Sequence, residues 1–171
     1  MNLTVGHTFC SGGFGHLIDD GGSGYALGRD VLSAAVRALD GRVGGSQRIL
    51  EEVYAHLGVA DSNGIVRFVY SPATSKATIA DLARIALDLA AEDPQAAAIL
   101  SRNSEDLFTL VQAVQKELKM ESCPVALLGG LLLEDNPYRR IVAEKLAALG
   151  NPVAPEHDAL WGAAQMAWEM E

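Results

Sequence analysis

The most apolar short run in the chain, Pro124 to Leu133, is split in the middle by Gly129-Gly130. That run limits the possible folds more than any other feature. Its first half, Pro124-Val-Ala-Leu-Leu128, is apolar at every position and reads as a strand buried on both faces, the pattern of a parallel sheet. The whole run is too short for a bilayer, which takes about 20 residues. Other strand candidates are few. Asn2 to Phe9 alternates loosely and is rich in β-formers, and Asn151 to Ala154 suits a short strand. Ile65 to Tyr70 fits a strand or a short helical turn, and local sequence does not separate the two. A parallel sheet usually has more members. Either strands are hidden, or something outside the chain completes the sheet.

The remaining periodicity is helical. Leu27, Val31, Ala35 and Leu39 share a face over Gly24 to Asp40, with Gly41 as the stop. Ser46 caps a second helix to Leu57, ahead of Gly58. Asp61-Ser-Asn-Gly64 is turn chemistry. Ile79, Leu82, Ala83, Ala86 and Leu89 line a helix over Lys76 to Ala91. Asp93-Pro94 opens a long helix to Leu118, with a kink expected near Asn103. Asn136-Pro137 opens another to Leu149, and Glu156 to Met170 forms the last. No internal repeat or interdomain linker interrupts the series, so the 171 residues read as one helix-rich α/β domain.

Composition narrows the function classes. Apolar residues make up 49% of the chain, enough for a core. The net charge of −9, with 13 scattered Lys and Arg, argues against nucleic acid as a partner. No signal peptide is visible, and the two cysteines, Cys10 and Cys123, lie far apart in sequence. A soluble protein in a reducing, cytoplasmic setting, with no membrane partner, is the expectation. His7 and Cys10 have no second pair to complete a tetrahedral zinc set.

Three constellations carry possible chemistry. In the first, Gly12, Gly13, Gly15, Gly21, Gly22 and Gly24 crowd into one stretch around Asp19 and Asp20. Such density means sharp turns or close approach. A carboxylate in such a loop, ahead of a helix, can accept hydrogen bonds from a polyhydroxyl ligand. The same residues also suit a plain tight loop with Asp19 and Asp20 capping turns. The second is Gly129-Gly130 at the end of a buried strand, where ligands sit in α/β folds. It is not a phosphate-loop signature, and an ordinary turn explains it as well. The third is His157-Asp158 with Gly162-Ala-Ala164, small residues that allow close helix packing. Trp161 and Trp168 are expected in the core or at an interface.

The run Gly13-Phe-Gly-His-Leu-Ile-Asp-Asp-Gly-Gly-Ser-Gly-Tyr-Ala-Leu-Gly-Arg29 resembles the G-W-G-x-x-x-G-D-E-G-S-G-Y-W-x-G-R run of N-acetylglucosamine kinases. These belong to the BadF/BadG/BcrA/BcrD ATPase family, within the actin-like sugar kinase superfamily. Later landmarks come in the family's order: Val69-Tyr70, an Ala-rich helix, Ala-Glu-Asp-Pro-Gln-Ala, Leu127-Leu-Gly-Gly130, and His157 to Ala164. The sequence departs from the motif in two places. The family's Trp is Phe14, and its G-D-E-G reads Asp19-Asp20-Gly21-Gly22, so the acid after the aspartate is lost.

The resemblance implies an RNase-H-like, actin-like ATPase second domain, helix-rich and with an incomplete sheet. It implies that residues 1–171 correspond to the C-terminal half of a longer kinase. The D-G-G-G-T-K phosphate loop, the general-base Asp and the G-T-G-S loop would then all lie outside it, so no catalytic residue is expected here. The function implied is ATP-dependent phosphorylation of an amino sugar, of N-acetylglucosamine or glucosamine type, with ATP and Mg2+. Ser11, Gly13 and Phe14 would line the sugar site, Asp20 would hydrogen-bond sugar hydroxyls, and Gly24 would lie beside the acetamido region. Gly129 and Gly130 would contact the adenosine. The expected assembly is a homodimer or association with a separate N-terminal half. Two alternatives are an ATPase activator of a 2-hydroxyacyl-CoA dehydratase, whose cluster-cysteine motif Cys10 and Cys123 do not match, and a catalytically inactive binding or dimerisation domain.

Overall fold

The computed structural model describes residues 8–157 and 159–169. The candidate strand Asn2 to Phe9 lies almost wholly outside them. Helix α1 (Gly24–Leu39) starts at Ser23, whose Oγ accepts the N–H of Ala26 at 3.1 Å. It runs through the middle of the molecule, and its apolar stripe, Leu27, Val31 and Ala35, is fully buried. Around it pack α2 (Gln47–Leu57), α4 (Lys76–Asp81), α5 (Ala83–Leu89) and α6 (Pro94–Leu118). Ile49, Val53, Leu82, Ala86, Ile99 and Leu100 close the core between them.

The undecided segment Ile65 to Tyr70 is helical. It belongs to α3 (Ser62–Val69), and Asp61 Oδ1 accepts the Gly64 N–H at 2.8 Å to start it. The helix expected over Lys76 to Ala91 is two helices, divided at Leu82. The division lies where α1 comes closest. A Cβ on Gly28 would stand 1.9 Å from the carbonyl oxygen of Ile79, so backbone meets backbone there. Helix α6 runs unbroken through Asn103. That side chain turns inward, donating to Ile99 O and to Asp30 Oδ2, both at 3.0 Å.

The sheet is small. Strand β1 (Val125–Ala126) pairs in parallel with β2 (Pro152–Val153), with Val125 opposite Pro152 and Ala126 opposite Val153. Between them run α7 (Gly130–Leu133) and α8 (Pro137–Leu146). The expectation of a strand buried on both faces is corrected. Leu127 is buried, but Ala126 and Leu128 are exposed, because no further strand or helix among the described residues covers that side. The last helix, α9 (Ala159–Glu169), is mostly surface. Trp161 and Trp168 lie on it at 50% and 79% exposure, so neither is a core residue. No helix among the described residues is long and apolar enough to cross a membrane.

Candidate functional site

The glycine-rich loop folds back on itself before α1. The N–H groups of Ile18 and Asp19 both donate to Gly15 O, at 3.0 and 2.8 Å, and Gly15 bridges Asp19. This tight reversal throws Leu17 and Ile18 outward, each more than four-fifths exposed. The loop then enters α1 through Asp20 to Ser23, and Ser23 N–H donates to Asp20 O at 3.1 Å.

Helix α6 lies directly against this loop, and the contact explains part of the glycine density. Gly22 has φ of +79°, and a Cβ there would stand 2.4 Å from Leu107. At Gly12 it would meet Leu110, and at Gly21 it would meet Asp106, each at 2.8 Å. Residues 106, 107 and 110 form one face of α6, so the loop's missing side chains are the room that this face occupies. Tyr138 of α8 holds the loop from beneath. It is fully buried, and its hydroxyl donates to Gly22 O at 2.9 Å. Burial first, and then the nearby Asp106 carboxylate, push its phenol well above the usual tyrosine range.

Asp20 is the charged centre of the loop. Its side chain is one-fifth exposed, and Oδ2 stands 2.9 Å from Lys76 Nζ at the start of α4. The alignment of that pair falls outside hydrogen-bond geometry, so Oδ2 is enclosed with a charge partner but no aligned donor. Burial pushes the carboxyl upward. The Lys76 ammonium, helped by Ser23 and His16, outweighs burial and holds it below the usual aspartate value. His16 packs edge-on against Tyr25, ring centres 4.8 Å apart.

A cleft of about 310 Å³ opens between this loop, α6 and the segment after β1. It joins Gly13, Asp20 and Gly24 with Gly129 and Gly130, positions more than a hundred residues apart in sequence. Gly129 has φ of +100° and starts α7, accepting the N–H groups of Leu132 and Leu133. A Cβ on Gly13, Gly129 or Gly130 would meet nothing within 4 Å, so the backbone there faces open space. A second cleft of about 260 Å³ lies on the other side of Asp20, between His16, Asp106 and Thr109. Ser11 and Phe14 line neither cleft, and Phe14 is three-quarters exposed. His157 stacks on Trp161 at 3.9 Å, and Asp158 lies outside the described residues. His7 does too, and among the described residues no three His, Cys, Asp or Glu side chains are grouped to hold a metal ion.

Sequence reasoning missed Lys76, Tyr138 and the 106–110 face of α6. No local signal marks Lys76, one cation among scattered ones. Asp106 and Leu107 had a readable signal only jointly with the glycines they fill.

Residues 6–167 match the BadF/BadG/BcrA/BcrD ATPase family. The chain is 30% identical over 170 residues to an N-acetylmuramic acid/N-acetylglucosamine kinase of Clostridium acetobutylicum, covering 95% of this chain and 55% of that protein. It is 31% identical over 141 residues to an N-acetyl-D-glucosamine kinase of Dictyostelium discoideum, covering 80% and 44%. A crystal structure of a Chromobacterium violaceum protein proposed to be an N-acetylglucosamine kinase superimposes with a TM-score of 0.71 at 26% identity, over 91% of this chain and 50% of that one. The chain thus spans about half the length of these relatives.

Proposed function

Because the chain belongs to the BadF/BadG/BcrA/BcrD ATPase family, we propose that it is the C-terminal half of an ATP-dependent amino-sugar kinase, with an actin-like ATPase fold. The observation that carries this reading is the shared cleft, in which the glycine-rich Asp20 loop and the Gly129-Gly130 turn face one another. The relatives' sugar kinase activities support it.

In this reading Asp20 accepts hydrogen bonds from sugar hydroxyls. A carboxylate held ionised forms stronger hydrogen bonds than a neutral group. Gly13 and Gly24 let the sugar lie close to backbone, whereas Ser11 and Phe14, which the motif would put in its wall, line neither cleft of this half. Gly129 and Gly130 fit the adenosine, since nothing within 4 Å stands over them. The ATP supplies the phosphoryl group, and the sugar's 6-hydroxyl takes it. Mg2+ would come with the nucleotide, held by its phosphates and water rather than by this half of the enzyme, and would offset the phosphate charge. Phosphoryl transfer also needs a base and phosphate-cradling groups. Those belong to the other half of the enzyme, joined in the same chain or as a partner.

Calorimetric titration with N-acetylglucosamine, then with Mg-ADP, tests the proposal. Heat with the sugar, lost in Asp20→Ala, supports it. Nucleotide binding without sugar binding points to the ATPase-activator type, and an iron–sulfur centre in anaerobically purified protein would establish that type instead. Silence from both ligands in folded protein would mean that this half holds no preformed site.

A further inference from the structure

Lys76 stands where a cation is of no help to its own helix. It is the first residue of α4, the end at which the helix dipole disfavours positive charge. Ser75 Oγ already caps that end, accepting the Thr78 N–H at 3.1 Å. A local rule broken without gain to the element points to a task elsewhere. Lys76 Nζ lies 2.9 Å from Oδ2 of Asp20, and among the described residues no other cation is within ion-pair distance of that carboxylate.

Three features separate this pair from an ordinary surface ion pair, which is worth little. Oδ2 is closed to solvent although the Asp20 side chain is one-fifth exposed, so a ligand reaches the carboxylate through Oδ1. Asp20 lines the cleft with Gly24 and Gly129, whereas Lys76 lines neither cleft, so the lysine acts through the aspartate. Helix α4 is also seated closely on α1. A Cβ on Gly28 would stand 1.9 Å from Ile79 O, and one on Gly24 would stand 3.4 Å from the Ala80 side chain. The lysine is therefore brought to the loop by a helix that is fixed in place.

We propose that Lys76 is a positioning residue for the sugar: from α4 it holds Oδ2 of Asp20, and so turns Oδ1 to the ligand's hydroxyl groups in one orientation. An acceptor that is charged and already oriented bonds a hydroxyl more strongly and loses less freedom in doing so. This inference rests on the amino-sugar reading above and adds the group that sets the aspartate for it.

The full chain would be titrated with N-acetylglucosamine between about pH 8 and pH 5. The other charged or titratable groups facing Asp20 or its loop are His16 and Asp19 on the loop, Arg29 on α1, Asp106 on α6 and Tyr138 on α8. All five stay in every variant, so a difference from the wild-type profile belongs to Lys76. Lys76→Met should bind about tenfold more weakly than wild type at pH 8. The gap should widen as pH falls, because the carboxyl takes up its proton at higher pH without the counter-charge. Lys76→Arg keeps the charge and should keep a constant ratio to wild type. If Lys76→Met shows no gap, or a gap that does not change with pH, while Asp20→Ala abolishes binding, the inference is overturned and the kinase reading stands. A gap that widens equally in Lys76→Arg also overturns it, since charge is then not what the position supplies. If folded wild-type chain binds no sugar, the reading and the inference are both overturned.

Discussion

At the scale of single residues, the Asp20–Lys76 pair controls the charge of the loop. Its pH dependence has a definite sign. Asp20 is held below the ordinary carboxylate value of about 4, so its stabilisation is complete above that pH and is lost as pH falls through the depressed native value. In Lys76→Met, burial acts without its main counterweight. The Asp20 carboxyl should then titrate higher than in wild type, measurable from its carbon-13 shift. A carboxyl that titrates at or below the wild-type value in that variant would show that the lysine is not what holds it ionised. Tyr138→Phe removes the bond to Gly22 O and leaves a buried carbonyl without its donor. The expected loss is about 1–3 kcal/mol in urea unfolding.

At the scale of elements, two glycines that look alike in sequence should respond differently. Gly41 has φ of +66° with nothing near its Cβ position, so Gly41→Ala should cost only about 1–2 kcal/mol of backbone strain. Gly28 sits inside α1, where alanine is intrinsically better by about 1 kcal/mol. The clash at 1.9 Å with Ile79 O outweighs that gain, because α1 and α4 must separate. Gly28→Ala should lose about 3 kcal/mol or more, and thermal melts of the two variants decide the order. A second link joins two helix starts. Ser46 Oγ accepts from Ile49 N–H at 3.1 Å and donates to Asp93 Oδ2 at 2.5 Å, while Asp93 Oδ1 caps α6. Ser46→Ala should therefore cost about 2 kcal/mol, the upper end for a single cap.

At the scale of the whole molecule, one share of the exposed apolar surface lies where the sheet and α9 are uncovered. Leu128, Leu133, Leu160, Trp161, Met166 and Trp168 are each at least half exposed. The chain has two tryptophans, both on α9, so their emission reports on that helix alone. At low concentration the emission should be that of water-exposed indole and readily quenched by acrylamide. Covering by a second copy or by the other half of the kinase should shift it to the blue, with a sedimentation change at the same concentration. Emission that stays red while sedimentation shows a complex would place the contact elsewhere.

Much of the chain was legible from local pattern alone. The helix starts at Ser46, Asp93-Pro94 and Asn136-Pro137 were readable, because a cap and its first turn are neighbours in sequence. The short strand near Asn151 to Ala154 and the family motif were readable for the same reason. Distant contacts were not. The split at Leu82 follows from α1 pressing on Ile79, and the exposed side of β1 follows from the absence of a covering layer among the described residues. The cleft itself, and the meeting of Lys76, Tyr138 and Asp106 with the glycine loop, depend on how α4 and α6 pack on α1 and α8 packs on α6. A spacing pattern records which residues share a face, but not which face lands on which loop. That choice is settled by burying the core as a whole.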